Sequence, residues 1–119
     1  MITGVHVLLY TPQAEALRAV FRETLGWDFV EAHDPADGWQ IFALPPAELG
    51  VHPSDGATRH ELCLMCDDLA ATVAELRARG VELRGEPRDD GFGAWITVLL
   101  PGGVEVLLYE PTHRTAIPG

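Results

Sequence analysis

The sequence predicts an α+β domain made of two tandem βαβββ modules, residues 1–56 and 57–119, curved into a mixed sheet around a concave pocket. Three observations carry that expectation. The order strand, helix, strand, strand, strand recurs in each half. The strand-to-helix joints match, Thr11-Pro12 in the first half and Asp67-Asp68 in the second. Short local likenesses accompany them, "LGWDF" beside "RGVEL" and "VHP" beside "YEP". Self-similarity on this scale constrains a fold more than any single element does.

Each element has its own justification. Residues 4–10, "GVHVLLY", β-branch and alternate as a strand. "TPQAEALRAVFRETLG" reads as a helix with Thr11 as cap, Pro12 in the first turn and Gly26 as a left-handed stop. Ala14, Leu17, Phe21 and Leu25 recur at helical spacing, with Val20 alongside, and face the core. "WDFVEAH", "GWQIFAL" and "ELGVHP" follow as strands, punctuated by "DPADG" and Pro45-Pro46. In the second half, "HELCLMC" is a strand and Asp67 or Asp68 caps the helix "LAATVAELRARG", which stops at Gly80. "VELRGEP", "AWITVLL" and "VEVLLYEP" complete the module, with the loop "DDGFG" and the tight turn "PGG" between them. Strand side chains alternate, so every second residue of the central strands lines the concave side.

Composition narrows the function. The chain is 47% apolar, enough for a core without disulfide staples. Its 8 basic residues, all arginine, face 18 acidic ones, a formal charge of −10 that repels the nucleic-acid backbone. No apolar run is long enough to span a bilayer, and "MITGVHVLL" lacks the basic lead of a signal peptide, so a cytoplasmic location is the default expectation. Cys63 and Cys66 form a C-x-x-C. On a strand, three residues span roughly 10 Å, beyond disulfide reach, and no second pair completes a zinc cage. Two reduced, mostly buried thiols are expected.

A concave pocket of this kind takes small molecules. Tyr10, Trp39, Cys63, Met65, Phe92, Trp95, Leu107 and Tyr109 are its expected lining. The aromatics suit a flat or apolar ligand, and the glycines of "RDDGFGAW" suit a loop that closes over one. His6 is either a core imidazole bonded to a carbonyl or a group aimed into the pocket. Glu61 is either a solvated strand-end residue near Arg59 or a carboxylate facing His6 as an acid/base pair. His33 and His113 have no supporting context in the sequence.

The stretches "GVHVLLYTPQAEALRAVFRETLGW", "CDDLAATVAELRARGVEL" and "LPGGVEVLLYEP" make the chain resemble the vicinal oxygen chelate superfamily over essentially its whole length. That group includes glyoxalase I, bleomycin-resistance proteins, fosfomycin-resistance enzymes and extradiol dioxygenases. The resemblance implies paired modules and a homodimer. It also implies either metal-dependent lysis, ring cleavage or thiol transfer, or simple sequestration of a drug. In metal-using relatives the first strand of each module gives one ligand and the last strands give carboxylates. His6 falls on the first of these positions and Glu61, beside His60, on its counterpart. The family glutamate after the turn glycine falls on Leu107, with Glu105 one pleat closer to the turn. Its counterpart in the first module falls on Leu49, or on Glu48 or His52 with the register shifted by one. The family's four-ligand set is therefore incomplete. Two functions follow: a binding protein with a degenerate or altered metal site, or a metal-dependent lyase or dioxygenase holding Zn, Mn, Fe or Ni on His6, Glu61 and Glu105.

Overall fold

The structure is a computed structural model and describes residues 6–31, 40–51, 53, 56, 59–91 and 93–117. Its elements are α1 (Ala14–Ala19), continued by a π-helical turn over Val20–Thr24; β1 (Phe29–Glu31); β2 (Gln40–Phe42); and β3 (Cys63–Met65). These are followed by α2 (Leu69–Ala78), β4 (Glu82–Asp89), β5 (Gly93–Leu100), a 3-10 turn (Pro101–Gly103) and β6 (Val104–Pro111). A four-stranded mixed sheet runs β3-β6-β5-β4, with β3 parallel to β6 and the other pairs antiparallel. β1 and β2 form a separate antiparallel ribbon.

The second half forms the complete βαβββ unit that its sequence predicts. Strict alternation builds it. On β5 and β6 the even-numbered residues Ile96, Val98, Leu100, Val106 and Leu108 are buried. Leu69 and Val73 of α2 and Leu17 of α1 close over them, so both helices cover the same face of the sheet. Asp68 caps α2 by accepting from the Ala71 N–H at 3.0 Å, and the Glu110 carboxylate accepts from the Leu69 N–H at 2.8 Å. Gly80 ends the helix with φ +81. Replacing Glu110 with Gln is expected to lower stability by about 1 kcal/mol, because a charged cap becomes a neutral one. Urea denaturation checks this.

The first half departs from expectation. Thr11 does not cap α1 directly: its hydroxyl oxygen accepts from the Gln13 N–H at 3.2 Å, and the hydroxyl donates to the Gly102 carbonyl at 3.3 Å. Pro12 therefore lies in a turn and the helix starts at Ala14. Among the described residues, neither 6–10 nor 48–51 is paired as a strand, although both belong to stretches that the sequence predicts as strands, 4–10 and 48–53. In the second half, a tight turn delivers β6 to β5 and thereby gives β3 a parallel partner. In the first, Pro45-Pro46 has no N–H to continue a ladder past β2, so residues 48–51 are not delivered beside it. Leu49 and Val51 are 91% exposed and Tyr10 is 87% exposed. Among the described residues, the exposed large apolar ones all lie between Val7 and Val51. What fastens this half is aromatic packing, Phe21 stacked on Trp27 at 5.1 Å and against Phe42 at 5.6 Å, and Arg79 donating to the Thr24 carbonyl at 2.6 Å.

Candidate functional site

The sheet face opposite the helices carries the odd-numbered side chains of β3, β5 and β6, and the register arranges them in cross-strand rows. Met65, Tyr109, Trp95 and Arg88 form one row. Cys63, Leu107, Thr97 and Arg84 form the next, and Glu105, Leu99 and Glu82 the third. One end of the face is aromatic and the other is ionic. Trp95 is fixed twice over, its indole N–H donating to Asp90 at 2.8 Å and the Arg88 guanidinium lying 5.9 Å from its ring centroid. The described part of the loop before Trp95 is tied down as well. Gly91 donates to Asp89 at 3.2 Å, and Thr112 donates to the Gly91 carbonyl at 3.1 Å.

At the ionic end a shallow cleft of about 260 Å³ is lined by Arg59, His60, Glu61, Thr97, Glu105 and Leu107. Glu105 is held there by Arg84 through two bonds of 2.7 and 2.9 Å. The Arg84 hydrogen bonds hold its carboxyl below the usual carboxylate range. Glu61 accepts from the Cys63 thiol at 3.7 Å. Both cysteines are free thiols. Burial first, then the Glu61 charge and hydrogen bond, push Cys63 from 9.0 to about 11. Because the folded value is raised, this contribution to stability is intact below pH 9.0 and is lost as the pH rises towards about 11. At about pH 8 the thiolate fraction falls roughly a hundredfold below that of an ordinary thiol. Alkylation of Cys63 by iodoacetamide is expected to slow in proportion, and Glu61→Gln to restore part of the rate, as peptide mass mapping would show.

At the aromatic end a chain of polar groups appears that the sequence did not point to. The Tyr109 hydroxyl lies 3.0 Å from His113 Nε2, and His113 Nδ1 lies 2.9 Å from the Arg114 carbonyl. A carbonyl only accepts, so Nδ1 carries a proton; on the neutral ring Nε2 then accepts and the tyrosine donates. Glu48 Oε1 stands 4.0 Å from the same Nε2, and Glu48 Oε2 accepts from the Ala116 N–H at 2.7 Å. Burial, followed by the Glu48 and Cys63 charges, pushes the Tyr109 phenol above its ordinary value. The sequence offered Tyr109 as lining and Glu48 as an alternative carboxylate position, but gave His113 no context and nothing that brings the three together.

Of the expected site residues, Cys63, Met65, Trp95, Leu107, Tyr109 and Glu105 share the open face. Glu61 joins them through Cys63 and the cleft. His6 and Tyr10 are exposed and lie outside any helix or strand, and no hydrogen bond or ion pair joins His6 to Glu61. Trp39, Phe92, His33 and His52 lie outside the described residues. Among the described residues no three His, Cys, Asp or Glu side chains stand close enough to share a metal ion. Glu105 is engaged by Arg84 instead. As arranged, His6, Glu61 and Glu105 do not form a donor set. No described helix is long and apolar enough to cross a membrane.

The profile of the Glyoxalase/Bleomycin resistance protein/Dioxygenase superfamily matches residues 4–111, and the chain belongs to that superfamily. No curated protein matches the chain. Among solved structures it is similar to TnmS3, an antibiotic binding protein from Streptomyces sp. CB03234. The identity is 26%, over 94% of this chain and 100% of that one, with a TM-score of 0.63. A superfamily member from Sphaerobacter thermophilus DSM 20745 is 24% identical over 92% of this chain and 98% of its own, at 0.63. A lactoylglutathione lyase from Agrobacterium tumefaciens shares the fold at 16% identity, over 91% and 92% of the two chains, at 0.62.

Proposed function

We propose that the chain is a small-molecule binding member of the superfamily that holds a flat, largely apolar ligand against the Trp95–Tyr109 end of its sheet. The row Met65, Tyr109, Trp95 and Arg88 carries this reading, because it offers aromatic and thioether surface on a rigid scaffold. The similarity to an antibiotic binding protein supports it. Leu107 and Leu49 stand where the family's carboxylates were expected, and Arg84 occupies Glu105, so no chemical step is routed through a metal. Substoichiometric metal in untagged protein purified without chelator agrees with this. Stoichiometric Zn, Mn, Fe or Ni that disappears in His6→Ala contradicts it.

Isothermal titration with a panel of flat aromatic compounds tests the binding itself. Trp95→Ala is expected to weaken the best compound about thirtyfold, from about 2 kcal/mol of lost stacking and burial. Unchanged affinity in Trp95→Ala would remove the reading. A second copy of the chain is the partner that covers the exposed apolar residues between Val7 and Val51. Sedimentation equilibrium is expected to give a dimer; a monomer at every concentration tested would contradict that.

A further inference from the structure

We propose that Glu48, His113 and Tyr109 form a proton-accepting anchor for a ligand carrying an acidic hydroxyl, a phenol or an enol. The proposal rests on the flat-ligand reading and adds the polar group that the ligand must present. Five observations carry it. The Arg114 carbonyl fixes a proton on His113 Nδ1, so the neutral ring presents Nε2 as an acceptor. The Tyr109 hydroxyl points its proton at that nitrogen, 3.0 Å away. The Glu48 carboxylate stands 4.0 Å from the same nitrogen, within ion-pair distance of the ring once a proton has arrived there. Its other oxygen is held by the Ala116 N–H, and its side chain is only 19% exposed, so its charge is oriented and little screened. Tyr109, finally, belongs to the same row as Trp95, where the flat ligand lies.

The proton balance closes within the complex. The ligand's O–H bond breaks as its proton passes to Tyr109 Oη. The Tyr109 O–H bond breaks as that proton passes to His113 Nε2. The products are a ligand oxyanion hydrogen-bonded by the tyrosine and an imidazolium paired with Glu48. A ligand that is already anionic is disfavoured, because Glu48 and Glu61 and the net charge of −10 repel it on approach. A neutral acidic hydroxyl avoids that repulsion and gives up its charge only once His113 can balance it. Glu48 and His113 are positioning residues; Tyr109 is the group that touches the ligand.

The test compares 4-nitrophenol with 4-nitroanisole on the full chain. The wild type is expected to bind the phenol about tenfold tighter, a hydrogen bond to a charged group. Bound 4-nitrophenol is expected to show the yellow phenolate band at a pH where the free compound is colourless. Tyr109→Phe and His113→Gln should abolish both the preference and the colour, and Glu48→Gln should weaken the colour. Equal binding of the two probes by the wild type, or yellow colour that survives His113→Gln, overturns the anchor while the flat-ligand reading stands. If neither probe binds, the flat-ligand reading fails and nitrogen NMR of the His113 ring decides the anchor. An accepting Nε2 whose shift moves in Tyr109→Phe upholds it, and a proton on Nε2, or no response, overturns it.

Discussion

Gly93→Ala is expected to destabilise the protein by about 3 kcal/mol, combining backbone strain with overpacking. Gly93 adopts φ +142, a region that side chains rarely enter. A β-carbon there would fall on the Glu110 carbonyl oxygen and would sit 3.0 Å from that carbonyl carbon and 3.3 Å from Pro111 Cα. All three atoms are backbone of the neighbouring strand, so no side chain can rotate away. β5 and β6 must separate where Gly93 faces Pro111, two residues from the Trp95–Tyr109 pair. The substitution should therefore weaken ligand binding as well as stability. Gly85→Ala is the control. Gly85 also has positive φ, +67, but nothing lies within 4 Å of a β-carbon there, so only the strain of about 1 kcal/mol remains. Urea unfolding of the two variants separates close approach from backbone conformation.

Ile96→Ala should cost about 3 kcal/mol with no direct effect on the site. Ile96 is 1% exposed, beneath α1 and α2 at the centre of the core. Its neighbour Trp95 points the other way, into the open face. The pair thus divides the two duties of β5. Truncating Ile96 leaves a cavity on the helix side and lowers the unfolding midpoint while folded protein keeps its ligand affinity. Truncating Trp95 lowers affinity with a small change in stability. Parallel urea and calorimetric titrations of both variants check the division, and a loss of affinity per folded molecule in Ile96→Ala would contradict it.

How much of this was legible in the sequence depends on how locally each feature is encoded. "AWITVLL" and "VEVLLYEP" meet at the glycine turn "PGG", which sets their register and hence which residues share a face. The Asp68 cap and the Gly80 stop are equally local. "HVLLY" has no such turn beside it, and whether it pairs depends on a strand that Pro45-Pro46 does not deliver. The site divides along the same line. Placing Cys63, Leu107, Tyr109 and Trp95 on one face needed only alternation. Arg84 reaching Glu105 across the intervening β5, and Glu48 meeting His113, are set by strand order and by the path of the chain after β6. No spacing in the sequence records either contact. The Arg84 pairing matters most for function, since it occupies the carboxylate on which a metal reading depended.

The proposed ligand position, on the Trp95–Tyr109 end of the open sheet face, is checked by an NMR titration of nitrogen-labelled protein with the best compound from the aromatic panel. The Trp95 indole N–H and the amides of Met65, Leu107 and Tyr109 are expected to shift together and saturate, while those of α2 stay still. Shifts confined to the groove beside Phe29, Ile41 and Phe42 on the β1–β2 ribbon, with Trp95 unmoved, would contradict it.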